Sequence, residues 1–354
     1  MADVTRRDRA QILLITSLLI ATVFVGLALV VNSGIYTENL ATRSTGEEAS
    51  QVAENQQLVE RDLQGLIDRS NAAVTDDDYT AVENGYDDDL ALWSTSLERR
   101  YGKTGRFVEY REKSTVEGTR IRQTDVDRGF TAGGSLAGQE EWTLVNETEE
   151  VGRFELLLQR PSLLDATTHT LDNVLGEAFN VAIETADGDE WHVYFFRGVL
   201  PDTGYVLVED PSGFGLTLSL SDLDDLDDTN SCASTDGDIS VDLLNASFGG
   251  EHCPELEFYT DEVTGTAHNV SYQNTETDGS LLGLALTDPE PRVNGTYDVI
   301  VDTRADRAPY YDPTSGDDPT AKAVIYEASV TAEFRSEGVT YENDELAAEW
   351  SLVE

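Results

Sequence analysis

The chain has 354 residues, with 23 basic side chains against 69 acidic ones and a formal net charge of −46. A surplus of this size repels itself in dilute salt and is screened where the Debye length falls to about 3 Å, near molar salt. The composition therefore reads as adaptation to high salinity. It excludes nucleic-acid recognition through a basic face. Hydrophobic residues make up 39% of the chain, enough for a substantial core, and 28 glycines argue against a mainly helical body.

In chain order, residues 1–11 are polar and basic, with Arg6, Arg7 and Arg9. Ile12–Val31 follows without a charge. As a helix it would extend about 30 Å, the thickness of a bilayer's hydrocarbon core, and it exceeds the apolar region of a usual signal peptide. The expectation is a transmembrane helix over 12–31 in contact with the lipid bilayer. Positive charge on its N-terminal side predicts a cytoplasmic N-terminus and an extracellular body, so a single-pass cell-membrane protein.

Asp8-Arg9-Ala10-Gln11-Ile12, directly before the apolar run, resembles the processing site of archaeal type IV prepilins. Asn32–Arg43 resembles a group of haloarchaeal single-span pilin-like proteins. The resemblance covers residues 8–43 and says little about the body. It implies a cut between Ala10 and Gln11 by a prepilin peptidase, followed by assembly with other pilin-like subunits. At the fifth position after that cut stands Ile15, where bacterial pilins typically carry glutamate. The residues alone leave open an uncleaved, anchored ectodomain that acts as a binding or adhesion module.

Ser44 and Thr45 with Glu47 and Glu48 form a capping-box pattern. Ala49, Val52, Leu58 or Val59, Leu63, Leu66 and Ile67 then recur at helical spacing, predicting an amphipathic helix over about 46–72. The pilin resemblance implies that it packs on the β-rich head; the alternative is a stalk that lifts the head from the membrane. Residues 75–89 read as an acidic linker. Leu90, Trp93, Leu97 and Tyr101 mark one face of a second helix, 88–102, which Gly102 ends.

From residue 106 the pattern becomes that of strands. Short runs are expected at 107–110, 119–123, 142–145 and 151–159, with a short helix within 162–175. A hairpin, 180–185 and 191–196, closes on Asp187-Gly188. Further strands are predicted at 205–209, 215–220, 256–259, 267–272, 281–286, 297–302, 323–334, 339–341 and 347–353. In the run 323–334, Val324, Tyr326, Ala328, Val330, Ala332 and Phe334 fall on one face. The fold class is α+β: a transmembrane helix, stalk helices and a mainly antiparallel, sandwich-like extracellular head. The predicted division is leader 1–11, span 12–31, helical stalk and linker 32–105, head 106–354.

Cys232 and Cys253 are the only cysteines, and an even count in an exported chain predicts one disulfide. Two free buried thiols are the alternative. Ligand spacing for zinc is missing, and the acidic run 221–228 and Asp236-Gly237-Asp238 read as hydrated loops, so no metal or cofactor is expected. Asn146, Asn245, Asn269 and Asn294 each open an Asn-X-Ser/Thr sequence and are candidate glycan acceptors. The sequence carries no GxSxG, HExxH or P-loop, and His169, His192, His252 and His268 are scattered. His192 reads as a packed or surface residue, and His268, beside Asn269, as a surface residue. The functional expectation is a non-enzymatic, pilin-like structural or assembly protein, with the binding module as its rival.

Overall fold

A computed structural model describes residues 23, 56–75, 78–132, 141–168, 171–198, 200, 202–212, 231–275, 280–281, 284–285, 293–304, 319–335 and 340–350. Within them the chain forms two facing antiparallel sheets, each with a helical element on its outer side. Helix α1 covers 56–73 and α2 Tyr79–Gly102. The eight-stranded sheet has the order β10-β9-β8-β3-β14-β1-β15-β16. Its long members are β1 (Phe107–Gln123), β3 (Val151–Gln159), β14 (Gly295–Val301), β15 (Thr320–Arg335) and β16 (Thr340–Glu349). On its far side lie β8 (Asp238–Asp242), β9 (Ser247–Phe248) and β10 (Glu251–His252). The six-stranded sheet, β2-β11-β4-β5-β6-β7, comprises Trp142–Thr148, His268–Gln273, Asn180–Thr185, Glu190–Arg197, Gly204–Glu209 and Ser231–Ser234. A separate ribbon pairs β12 (Ser280–Leu281) with β13 (Leu284–Ala285).

Period-two alternation sends Phe154, Leu156 and Leu158 of β3 and Tyr297, Val299 and Val301 of β14 toward the six-stranded sheet. There they meet Val181, Ile183, Val193 and Phe195 in the main core. Phe130, Phe179, Tyr272 and Tyr297 form an aromatic knot in it, with ring centroids 4.8–5.6 Å apart. A smaller cluster covers the outer face of β5 and β6, where α3 (Leu171–Glu177) places Val174 against Tyr194, Phe196, Tyr205 and Leu207.

On the outer face of the larger sheet, α1 lays Val59, Leu63, Leu66 and Ile67 against Val324, Tyr326, Val330 and Phe334 of β15. Each fully buried side chain of this kind contributes about 1.5–3 kcal/mol. Polar contacts fix the seat. Asn71 donates to the Ile325 carbonyl at 3.0 Å and accepts from the Ile325 amide at 2.7 Å. It thus stands in for a strand partner beyond the start of the β16 pairing at Glu327. Trp350 donates to Asp68 at 2.7 Å and Trp93 to Asp62 at 3.1 Å.

Several expectations are corrected. The transmembrane helix is not supported: among the described residues no helix is long and apolar enough to cross a membrane. The segment 12–31 lies outside those residues, Val23 apart. The physical reason is visible in α1 and α2, which carry charges such as Arg61, Asp62, Asp87 and Asp88 and bury one stripe each. Nor do they form a stalk; they are a layer packed on the sheet. Residues 78–89 are not a linker. Asp78 caps α2, its carboxylate accepting from the Ala81 amide at 2.9 Å, and Tyr79, Val82, Tyr86 and Leu90 form the buried stripe. Residues 107–123 make one strand instead of two, bent by irregularities at Glu112/Ser114 and Val116/Glu117. The strand expected at 256–259 is a pair of turns, because Pro254 opens a helical turn at Pro254–Leu256 and a wider one follows at Tyr259–Val263. Runs 215–220 and 351–353 lie outside the described residues.

Candidate functional site

Among the described residues, helices α1 and α2 cover the β1, β15 and β16 side of the outer face. Across β8, β3, β14 and the C-terminal end of β1, that face carries a groove of about 550 Å³. The same alternation that fills the core builds it. In Arg120-Ile121-Arg122-Gln123, Ile121 points into the sandwich and both arginines point out. Register then aligns Arg122 with Asp298, Asp298 with Glu155, and Glu155 with Asp242. One step along, Thr296, Leu157 and Ser240 align.

Asp298 is the hub. Arg120 grips its carboxylate with two nitrogens, Nε at 2.8 Å from Oδ1 and Nη2 on Oδ2. This fork geometry favours a guanidinium over an ammonium. Arg122 Nε stands 3.8 Å and Arg153 Nη1 3.6 Å from the same Oδ2, while Arg153 Nη1 donates to Glu155 at 3.0 Å. The Arg120, Arg153 and Asp298 side chains are 13–19% exposed and Arg122 is 50% exposed. Three guanidiniums, Arg120, Arg122 and Arg153, face three carboxylates, Asp298, Glu155 and Asp242, so the charges of this face balance in a chain whose total is −46. The guanidinium of Arg120 also lies 5.7 Å from the ring of Trp350, which borders the helical layer. Beside it, Lys322 donates to the Asn71 carbonyl, and burial together with Arg120 lowers its pKa.

Sequence inspection missed this groove. The signal it contained was small: outward-facing arginines at alternate positions in 120–122, on a chain with few cations. The partners Arg153 and Asp298 come from strands distant in sequence and could be joined only by register.

The sites named from sequence lie elsewhere. Ala10 and Gln11 fall outside the described residues. Cys232 and Cys253 are bonded, with Cα atoms 5.9 Å apart. The bond ties β7, at an edge of the smaller sheet, to the residue after β10, at an edge of the larger one. Closing a loop with a sequence separation of 21 stabilises by about 3 kcal/mol in the chain-entropy view. Of the four asparagines, Asn245 is exposed and donates to Asp242 at 2.6 Å. Asn269 accepts from the Glu147 amide at 3.0 Å, holding the left-handed Glu147 (φ 54°) of the bulged β2–β11 pair. Asn146 is half-buried beside it. The Asn294 carbonyl oxygen is buried, and its backbone amide donates to Ser162 at 2.9 Å. A glycan is thus accommodated most readily at Asn245 and least at Asn294.

His192 is half-buried and packs beside Asn180, 3.2 Å away. His268, expected at the surface, is buried in the core. Its ring lies 2.7 Å from the Thr266 carbonyl and 3.1 Å from the Tyr259 hydroxyl, and burial lowers its pKa. His252 faces Glu257 at 3.2 Å, and His169 lies outside the described residues. The acidic run 221–228 lies outside them too. Among the described residues, no group of three or more His, Cys, Asp or Glu side chains is placed to hold a metal ion. On the helical side, Glu112 of β1 meets Asp87 of α2. A hydrogen bond between the two carboxyls, burial, and the charges of Asp87 and Glu83 push the Glu112 pKa up to about 7.

A model for a family of unknown function (DUF7261) matches residues 6–132. That span holds both long helices, β1, Arg120 and Arg122. It ends before β2, so Arg153 and Asp298 lie outside it. No curated protein and no solved structure matches the chain.

Proposed function

We propose that the chain is an extracellular, pilin-like structural protein of a halophile. It attaches and assembles through its N-terminal part and presents its β-sandwich outward. One observation carries this reading: the family match covers the N-terminal part of the chain. The family match begins in the basic leader, takes in residues 8–43 with their prepilin-like pattern, and ends just after the helical layer and β1. Cleavage between Ala10 and Gln11 then frees the apolar segment 12–31 to pack against other copies. The Cys232–Cys253 bond supports a body outside the cytosol, where disulfides persist.

The mass of the N-terminal peptide from protein made in a haloarchaeal host tests this reading. A peptide that begins at Gln11 and disappears on Ala10 substitution supports it. An intact Met1 or Ala2 start sinks it. The second reading, an uncleaved binding or adhesion module, is favoured by the groove on the outer face of the larger sheet.

A further inference from the structure

We propose that Asn245 carries an N-linked glycan whose first sugar folds back into the groove over β1, β14, β3 and β8. The inference needs an exported body, which both readings above share, and not processing at Ala10.

Accessibility selects the site. Of the four asparagines that open an Asn-X-Ser/Thr sequence, only Asn245 is exposed. Asn269 accepts from the Glu147 amide in mid-sheet, where β11 is paired on both sides. Asn146 is half-buried, and Asn294 buries its side-chain oxygen. Asn245 stands in the turn 243–246 between β8 and β9, and Asn245-Ala246-Ser247 supplies the acceptor amide and the hydroxyl two residues on. The turn is held in place. Asp242 Oδ1 accepts from the Leu244 and Asn245 amides, each at 3.0 Å. The amide of the disulfide-bonded Cys253 donates to the Ala246 carbonyl at 2.7 Å.

The co-reactant is a sugar activated at its anomeric carbon by a phosphate-linked carrier, brought by a glycosyltransferase. Asn245 Nδ2 forms a bond to that carbon, and the bond from the carbon to the carrier oxygen breaks. The carrier phosphate leaves with the electron pair, and one Nδ2 proton is released. A side-chain amide has two N–H bonds, so the second remains for Asp242.

Position then assigns the groove. Asn245 Nδ2 donates to Asp242 Oδ2 at 2.6 Å, and Asp242 and Ser247 belong to the groove's wall. The point of attachment is therefore at the groove's edge. The charges of this face balance, so its lining selects no net ion. To a neutral ring it offers the hydroxyls of Thr296 and Ser240, with Leu157 for the C–H face. A volume of about 550 Å³ falls within the range of small-ligand sites. A short tether gives an effective concentration of about millimolar, so contacts too weak to capture a free sugar suffice for an attached one.

The test uses the full chain made in a haloarchaeal host. Mass spectrometry of its peptides should find sugar on Asn245 and none on Asn294. The increment at Asn245 should vanish in Asn245→Gln and in Ser247→Ala, which keeps the asparagine. A bare Asn245 overturns the proposal, as does sugar on Asn294. In the native glycoprotein with labelled methyl groups, Leu157 should give nuclear Overhauser contacts to sugar-ring protons, and the exposed Leu92 of α2 none. A glycan that contacts neither methyl, or both alike, overturns the assignment to the groove. The native chain answers both halves, so the result does not depend on how either variant folds. An N-terminal peptide that starts at Met1 leaves it standing, and the two proposals fail separately.

Discussion

The outer face of the eight-stranded sheet is one surface used in two ways. Over β15 and β16 it presents Val324, Tyr326, Val330 and Phe334, and two helices cover it. Over β14, β3 and β8 it presents Asp298, Arg153, Glu155 and Ser240, and it is an open groove. The change happens within a single strand. Ile300 of β14 belongs to the buried cluster under the helices, and Asp298, one repeat away on the same face, is the groove's hub. Both halves belong to one hydrogen-bonded sheet. Side-chain chemistry decides which half is sealed by burial and which is held together by charge.

The sharpest way to break that comparison is to delete packing on the sealed half. Leu63 of α1 is fully buried. Leu63→Ala should cost about 2–5 kcal/mol, since the transfer energy of the lost carbons adds to that of the cavity left behind. Thermal unfolding in molar salt measures it. A loss under about 1 kcal/mol would mean that α1 is not seated on β15.

Next in size is the hub of the open half. Asp298→Asn leaves Arg120, Arg122 and Arg153 facing one another without the carboxylate that collects them. The expected loss is about 1.5–3 kcal/mol, the range for hydrogen bonds to charged groups. Its signature separates it from the Leu63 variant: the loss should shrink as salt rises, because repulsion among partly exposed charges is screened, whereas a cavity is indifferent to salt. Equal losses at low and high salt would remove electrostatics as the force organising the groove.

A smaller effect belongs to the rim of the sealed half. The Glu112 pKa is raised to about 7 in the folded chain, above its ordinary value of 4.5. The folded state thus holds a proton that the unfolded state gives up near 4.5. The stabilisation is fully present below pH 4.5 and is lost as pH rises through about 7. Glu112 is exposed, so the change is modest and screened by salt. Melting temperature should fall between pH 4.5 and 7.5 by more in the native chain than in Glu112→Gln. Parallel curves for the two would show that Asp87 and Glu112 do not share a proton. His268 acts with the opposite sign, since its lowered pKa makes the fold lose stability as pH drops below 6.5.

The sealed half was the more legible in sequence. The stripe Val59, Leu63, Leu66 and Ile67 and the alternation of 323–334 announce two apolar faces, and they meet. The acidic residues of 75–89 hid the start of α2, because charge density suggested a loop. The helical spacing Tyr79-Val82-Tyr86-Leu90 runs through that stretch, with Asp87–Asp89 on the solvent side. Register was not legible. Arg120 and Asp298 are 178 residues apart and meet only because β1 pairs with β14. The disulfide was readable as a pair, although not as a link between the edges of two sheets. His268 was misread because its neighbour Asn269 opens a glycan sequence, while strand alternation puts the two on opposite faces.

The smallest predicted effect is the most informative about the open half. Arg122 is half exposed, and its contact to Asp298 is the longest of the three at 3.8 Å. A surface pair at that separation contributes little, so Arg122→Gln should change stability by at most about 0.5 kcal/mol. In a scaffold whose arginines serve only the fold, Arg122 is the one that folding can do without. If the variant melts with the native chain, the third cation beside Asp298 is no part of the network that holds the sheet, and Arg120 and Arg153 carry it alone. A drop approaching that of Asp298→Asn would instead make all three arginines one structural network, and the two halves of the face would differ in chemistry but not in purpose.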